Sequence, residues 1–164
     1  MDKTSLLFFY DYSVWANARL LDAAGRTTLE QFHAPVPSTY GSLSAILAHT
    51  LLAYEAWHGR MAQGKTPENL PRPADFAGCA EFRPRFEASQ AALRAYLAGL
   101  DENELERVVQ IRTSKGAVYE HQVWQIVLHL LNHTTQHRSE AAEVLTQMGF
   151  SPGDLDLIWY LRMT

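Results

Sequence analysis

Three histidines recur at intervals of four residues in the segment LHLLNHTTQHRSE, which spans residues 128–140. Residues i and i+4 of a helix lie about 40° apart around the axis and ~6 Å apart along it, so two imidazoles at this spacing can reach one metal ion. Residues i and i+8 lie ~12 Å apart, which is too far for a shared ion. The spacing therefore predicts a metal-binding pair in which His133 is joined by either His129 or His137.

The polarity of the surrounding helix favours one of these two pairs. The side of the helical wheel that carries His133 and His137 is apolar, with Ile126, Leu130, Val144 and Met148. The side toward which His129 points is polar, with Gln125, Asn132, Gln136 and Glu143. We therefore expect His133 and His137 to point into the core. The alternative is a purely structural pair, but burying several ring nitrogens without a partner costs free energy.

A third ligand is needed because two neutral nitrogens make a weak metal site. Four further histidines could supply it: His33, His49, His58 and His121. His121 lies about three turns from the pair on the same predicted helix, and His33 lies in the proline-flanked loop FHAPVP. His49 and His58 lie nine residues apart on opposite sides of a second predicted helix, so at most one of them can contribute. Three alanines leave room beside His49, which favours it over His58 without deciding between them.

Four amphipathic segments of about twenty residues predict an all-α fold, a four-helix bundle in a single domain spanning residues 1–164. The predicted helices cover residues 4–24, with Thr4 as the N-cap, and residues 42–63, 81–98 and 121–148. Between the third and fourth helices, residues 106–120 alternate apolar and polar side chains around the turn TSKG, which predicts a small β-hairpin. The segment SPGDLDLIWYLRM predicts a short C-terminal helix. Bundles of this kind build metal sites from side chains on facing helices.

The composition excludes several other classes of function. The chain has 164 residues, a net charge of −4 and a single cysteine, so an internal disulfide and a cysteine-rich metal cage are excluded. No basic block indicates a nucleic-acid partner, and no long apolar run or cleavable leader indicates a membrane or export, so we expect a soluble, cytoplasmic protein. The chain has no glycine-rich phosphate loop, no serine nucleophile elbow and no Glu-x-x-His motif; the last absence weighs against a di-iron centre.

Other side chains have expected roles around the site or away from it. Glu55 and Glu140 are candidates to hydrogen-bond the imidazoles. Cys79 is expected to be inert, and Arg138 is expected to pair with a carboxylate or to cap a helix. The four tryptophans are expected in the core: Trp15, Trp57, Trp124 and Trp159.

Four segments together resemble the DinB family of DNA-damage-inducible, YfiT-like proteins, which are assigned as metalloenzymes: YDYSVWANARLL, YGSLSAILAHTLLAYEAWHGRM, LLNHTTQHRSEAAEVL and LDLIWYLR. The similarity covers nearly the whole chain. It implies a four-helix bundle with a three-histidine metal site, in which one ligand comes from the second helix and two come from an HxxxH motif in the last long helix. Carried onto this chain, the implied ligands are His49, His133 and His137, which selects His49 over His58. The family often reads HRGQ at the second histidine of the pair, whereas this chain reads HRSE and lacks the glycine.

The resemblance also implies a class of activity. Some members of the family are thiol transferases, and homodimers are common in it. The expected partners are therefore a divalent metal ion, zinc or nickel first, a low-molecular-weight thiol as cosubstrate, a small-molecule substrate and a second copy of the chain. Three imidazoles leave a divalent ion with an open position, as in catalytic sites. The favoured hypothesis is a thiol-dependent S-transferase acting on small electrophiles; the alternatives are a metal-dependent hydrolase and a non-enzymatic, stress-induced protein that binds a metal or ligand.

Overall fold

The computed structural model of the protein describes residues 2–112 and 116–163. In these ranges the elements are α1 (Lys3–Ala24), α2 (Leu29–His33), α3 (Leu43–Gln63), α4 (Cys79–Gly99), α5 (Glu102–Glu106), β1 (Val108–Arg112), β2 (Val118–Gln122), α6 (Val123–Gln147) and α7 (Leu157–Leu161). A single 3-10 turn, Pro73–Asp75, lies between α3 and α4. The mostly helical fold, the antiparallel hairpin before α6 and the short C-terminal helix confirm those parts of the prediction. The predicted turn TSKG falls largely on residues 113–115, which lie outside the described ranges.

Several helices start one or two residues from the predicted position. Helix α1 begins one residue earlier than expected, because the Asp2 carboxylate, rather than Thr4, accepts a hydrogen bond from the Ser5 backbone N–H at 2.7 Å. Helix α4 begins at Cys79, whereas a start near residue 81 would have placed Pro84 in the first turn; Pro84 therefore lies in the second turn. A proline there cannot donate the usual backbone hydrogen bond. Helix α6 begins at Val123, which puts His121 on β2 rather than on the helix.

Two short helices were not predicted, although both carry a capping box. In α2, the Thr28 hydroxyl accepts from the Gln31 backbone N–H while the Gln31 side chain accepts from the Thr28 N–H. Asp101 and Glu104 exchange the same pair of hydrogen bonds at the start of α5. This reciprocal pattern is a helix-start signal that can be read in the sequence. The short, five-residue length of each helix hides the apolar periodicity on which the prediction relied.

The four long helices contact one another in a closed ring, since α1 packs against α6 and α4, and α3 packs against the same two helices. Fully buried side chains from all four fill the space between them, among them Leu6, Leu51, Phe82 and Leu130. The hairpin adds Val109 and Ile111 to this core and leaves Val108 exposed, as expected for a strand with one buried side. Within the described ranges, no helix combines the length and the apolar character that a membrane span needs.

The tryptophans lie less deeply than predicted. Trp57 and Trp124 are half-buried and pack against the edge of the core. Trp15 is also half-buried and packs against Tyr12 and Tyr160, whereas Trp159 is 42% exposed. The prediction that all four lie in the core is therefore wrong. An indole is large, and a surface helix can cover one of its faces while the other stays in contact with solvent.

Arg138 has a structural role that differs from the expected one. Its side chain is only 2% exposed, and its guanidinium donates hydrogen bonds to the Ser13 hydroxyl, the Asn17 side-chain oxygen and the Thr135 hydroxyl. No carboxylate pairs with it in the part of the chain that the structure describes, so the predicted salt bridge is wrong. Because Ser13 and Asn17 lie on α1, these bonds fix the rotation of α6 at the residue that directly follows His137.

Candidate metal centre

Helices α3 and α6 run in opposite directions along their shared interface. His49 lies beside His133, with 5.0 Å between the ring centroids, while Trp57, eight residues further along α3, lies beside His129 at 5.2 Å. Positions closer to the C-terminus of α3 therefore lie beside positions closer to the N-terminus of α6. This arrangement brings a single imidazole from the first half of α3 opposite the HxxxH pair of α6.

His49, His133 and His137 each offer one nitrogen, and the three nitrogens lie within 4.8 Å of one another. The Nε2 atoms of His49 and His133 are 2.9 Å apart, and the ring of His137 lies 4.7 Å and 4.5 Å from the rings of His49 and His133. Around a tetrahedral zinc ion with Zn–N bonds of 2.0–2.1 Å, two ligand nitrogens are about 3.3 Å apart. The three imidazoles therefore need only small movements to share one ion. Their role as metal ligands stays a prediction.

The pKa values of His133 and His49 are lowered. Burial, followed by the neighbouring rings of His137, His49 and His129, lowers the pKa of His133 to about 4. Burial, followed by the nearby His137, lowers the pKa of His49. Both rings are therefore neutral at pH 7, and the neutral imidazole is the form that binds metal ions.

Glu140 holds the third imidazole in place. One carboxylate oxygen, Oε2, lies 3.1 Å from Nδ1 of His137, and the other, Oε1, accepts a hydrogen bond from the Thr39 backbone N–H at 2.6 Å. Burial raises the pKa of Glu140, but the hydrogen bonds from Thr39 and His137 outweigh it and lower the pKa overall. The ionised carboxylate keeps the proton of His137 on Nδ1, which leaves Nε2 free to face the other two rings. Glu140 thus contacts an imidazole as expected.

Glu55, the other acidic candidate, does not approach the histidines. Its two carboxylate oxygens each accept a hydrogen bond from Arg85 on α4, both at 2.8 Å. The expectation that Glu55 contacts an imidazole is therefore wrong. Residues 49 and 55 differ by six positions, so their side chains leave the helix about 120° apart and point in different directions.

Tyr40 covers one end of the site and was missed by sequence reasoning. Its ring stacks on His49 at 4.3 Å and meets the edge of His137 at 5.2 Å. The loop that carries it is closed by a hydrogen bond from the Val36 N–H to the Gly41 carbonyl, and Gly41 has a φ of 81°. This left-handed conformation favours glycine. A tyrosine next to a glycine just before the helix N-cap Ser42 is the signal that could have suggested a loop over the site.

The remaining histidines have other surroundings. Nε2 of His33 lies 3.1 Å and 3.0 Å from the carbonyl oxygens of Phe76 and Ala77. His58 packs near Tyr96, with ring centroids 5.4 Å apart. His129 is exposed and lies at the edge of the site, 5.6 Å from the ring of His133. The structure thus brings the 133/137 pair together with His49, and it leaves out the alternatives that the spacing had left open.

The donor set fits a divalent transition-metal ion. Three neutral imidazole nitrogens suit zinc, nickel, copper or iron, and they leave at least one coordination position for a substrate or water. The single thiol is not part of the set, because Cys79 is buried in the core, its Sγ lies 3.7 Å from the Leu21 carbonyl oxygen, and burial raises its pKa to about 11. This agrees with the expectation that Cys79 is inert.

Comparison with known proteins assigns the chain to a family. A sequence model of the DinB family matches residues 1–164. The protein named Protein DinB of Bacillus subtilis (strain 168) is 28% identical over 160 residues, which cover 94% of this chain and 92% of that protein. The crystal structure of a conserved protein from Enterococcus faecalis superposes with a TM-score of 0.64 at 15% identity, covers 88% of this chain and 96% of its own, and so supports the fold. Since the family model spans the full length, the chain belongs to the DinB family.

Proposed function

We propose that the protein is a metal-dependent enzyme in which His49, His133 and His137 hold a divalent ion, zinc or nickel, and that it transfers a low-molecular-weight thiol to a small electrophile. The observation that carries this proposal is the convergence of three ring nitrogens from two helices within 4.8 Å. Structural zinc sites are closed by four protein ligands, whereas three protein ligands with an open position are typical of catalytic sites. No fourth metal-binding side chain joins the group in the described part of the chain.

The residues around the site prepare it for catalysis. Arg138 fixes the rotation of α6, Glu140 fixes the tautomer of His137, and Tyr40 shields two of the imidazoles from solvent. A bound divalent ion supplies a positive charge that lowers the pKa of a thiol or a water molecule and so provides a nucleophile at neutral pH. These side chains would hold the three ring nitrogens aimed at one point.

The engagement of Glu140 favours a thiol over water as the nucleophile. Hydrolysis at a zinc ion is commonly assisted by a carboxylate that acts as general base. Here both oxygens of Glu140 already accept hydrogen bonds, and the other candidate, Glu55, is paired with Arg85. A thiol needs no such base, because its pKa is low enough for a nearby cation alone to ionise it. In the transfer, sulfur attacks the carbon that bears a leaving group such as chloride; the C–S bond forms, chloride departs with the bonding electrons, and the thiol proton passes to solvent.

Two further statements belong to this proposal. We propose that α1, α3, α4 and α6 constitute a four-helix bundle, which is supported by their closed ring of contacts.

We also propose a homodimer, which is supported by apolar side chains that remain exposed near the C-terminus: Ile158, Trp159 and Leu161. Size-exclusion chromatography with light scattering tests the dimer; a mass near 18.5 kDa at micromolar concentration contradicts it.

Metal content is the first experiment. Protein purified without a histidine tag is analysed for metals by elemental analysis, as the wild type, His133→Ala and the matched control His129→Ala. We expect about one divalent ion per chain in the wild type and in His129→Ala, and loss of the ion in His133→Ala. An equal metal content in all three proteins contradicts the site.

Activity is tested with zinc- and nickel-loaded protein, a panel of small thiols that includes cysteine and glutathione, and para-nitrobenzyl chloride as electrophile. The proposal predicts thioether formation that requires the metal and is lost in His133→Ala. Ester or amide cleavage without any thiol would favour the hydrolase instead. Full metal occupancy with no turnover across the panel would favour a binding protein.

A further inference from the structure

A cleft opens at the end of the histidine site that Tyr40 does not cover. It has a volume of about 250 Å³ and is lined by Trp57, His121, Gln125, Ile126 and His129; we call it the Trp57 cleft. His129 forms its inner wall, since its ring lies 5.2 Å from the ring of Trp57 and 5.6 Å from that of His133. The cleft is therefore separated from the candidate metal ligands by one imidazole.

We propose that the Trp57 cleft binds the electrophilic substrate, and that this substrate is an uncharged aromatic molecule of about one ring. The inference rests on the proposed function for the role of the bound molecule. The binding itself depends only on the cleft and can be measured without any reaction.

The three histidines lie in a groove between α3 and α6. The two ends of this groove differ in a way that directs the substrate to the Trp57 cleft. At the end nearer residue 140, Tyr40 stacks on His49 and meets the edge of His137, and the loop behind it is tied to Glu140 through the Thr39 N–H. At the end nearer the Trp57 cleft, the exposed ring of His129 lies beside His133. A molecule that approaches His133 from the cleft does not have to displace the Tyr40 loop.

The lining of the cleft indicates the chemical class of the ligand. Among the described residues, its walls consist of an indole, two imidazoles, an isoleucine and an amide, with no carboxylate, ammonium or guanidinium group. Mostly apolar walls with a few polar groups are typical of small-molecule sites, and the volume lies just below their usual range of roughly 300–1,000 Å³. Such a cleft favours a single flat ring that stacks on aromatic side chains.

Two features hold the walls in place before a ligand arrives. The Arg60 guanidinium lies over the ring of Trp57 at 4.5 Å, and its Nε donates a hydrogen bond to the Thr66 hydroxyl, which restricts the indole. On the opposite side, His121 lies on β2 and pairs with Val109, so the hairpin supplies the outer wall. The hairpin thus has a function in the proposal beyond packing on the helices, and the preformed walls reduce the entropic cost of binding.

Binding is tested by ¹H–¹⁵N NMR with para-nitrobenzyl alcohol, an unreactive and uncharged probe, using the zinc-loaded wild type and the His133→Ala protein. The indole N–H signal of Trp57 is assigned from Trp57→Phe, and the more exposed Trp159 serves as the control indole. We expect a saturable shift of the Trp57 signal in both proteins and none of the Trp159 signal. Trp57→Ala should weaken binding about tenfold, and Trp159→Ala should leave it unchanged.

Charge specificity provides the second measurement. The anionic probe para-nitrobenzoate should bind at least about tenfold more weakly than the alcohol. His121→Glu is an exposed change that places a carboxylate in the cleft, and it should bind the alcohol more weakly than the wild type does. The absence of a saturable shift at Trp57, equal shifts at Trp159, or equal binding of the benzoate would overturn the inference. Because His133→Ala retains the cleft, failure of metal binding or of thiol transfer is distinguishable from failure of this inference.

Discussion

Replacing Glu140 by glutamine tests how the site is held together. The carboxylate accepts two hydrogen bonds, from the Thr39 N–H at 2.6 Å and at 3.1 Å from Nδ1 of His137. A glutamine side chain of the same shape has only one oxygen acceptor, so it can keep one of these bonds and must lose the other. If its NH₂ group faces His137, it donates to Nδ1 and moves the ring proton to Nε2, the nitrogen that the metal needs.

The expected loss in metal affinity follows from these contacts. Hydrogen bonds to a charged group contribute about 1.5–3 kcal/mol each, and the side chain of Glu140 is 20% exposed, which favours the lower part of that range. Loss of a partner that orients a metal-binding histidine typically costs about 10–100-fold in affinity, or about 1.4–2.7 kcal/mol. We therefore expect Glu140→Gln to bind zinc about 10–100-fold more weakly than the wild type.

The assay is a zinc titration in competition with a fluorescent chelator, at fixed pH and ionic strength. Glu143→Gln is the matched control, because it removes the same charge from an exposed position on the same helix, where the Glu143 carboxylate accepts a hydrogen bond from Gln147 and not from a histidine. The control should bind zinc within about twofold of the wild type. The reasoning is refuted if Glu140→Gln keeps wild-type affinity, or if both variants lose affinity equally, since the effect would then reflect net charge alone.

Three other predictions concern single side chains: the zinc binding of two histidine variants, the titration of His133 and the accessibility of Cys79. His137→Ala should abolish zinc binding while His129→Ala retains it, as measured by the same chelator competition; loss in His129→Ala with retention in His137→Ala would show that the wrong pair had been selected. The folded state holds the pKa of His133 near 4 against an ordinary value of 6.5, so the unfolded chain binds more protons between these values, and the free energy of unfolding of the metal-free protein should fall as the pH is lowered from about 6.5 toward 4. Urea unfolding across this range should show a weaker dependence on pH in His133→Ala, and an unchanged dependence would contradict the assignment. Cys79 is 6% exposed and has a pKa raised to about 11, so its alkylation by iodoacetamide at pH 8 should be about a hundredfold slower in the native protein than in urea, as followed by mass spectrometry; comparable rates would contradict its burial.

The errors in the predicted elements have local causes. Thr4 and Asp2 are both good N-caps, and only the geometry of the first turn shows that the Asp2 carboxylate reaches the Ser5 N–H. The third long helix was expected to start near residue 81, which would place Pro84 in its first turn, but the packing of Cys79 and Phe82 in the core extends the helix further toward the N-terminus. Tertiary packing here outweighs the loss of one backbone hydrogen bond.

Arg138 illustrates a different limit. In the sequence it follows His137 and lies near several acidic residues, so a salt bridge is the simplest expectation. In the structure it is buried against α1 and satisfied by neutral oxygens of Ser13, Asn17 and Thr135. Ser13 and Asn17 lie on a helix more than a hundred residues away in the chain, and no local pattern indicates them.

The sequence by itself determined where the long helices lie and which histidines of α6 point inward, because helical periodicity and the polarity of each side are local properties. The family resemblance added His49 from a second helix. Only the tertiary structure decided what surrounds the three imidazoles: the ring of Tyr40, the link from Glu140 to Thr39, and the cleft at Trp57. Thr39 and Glu140 are 101 residues apart in the chain, and such contacts depend on how whole helices and loops pack, which no short segment encodes.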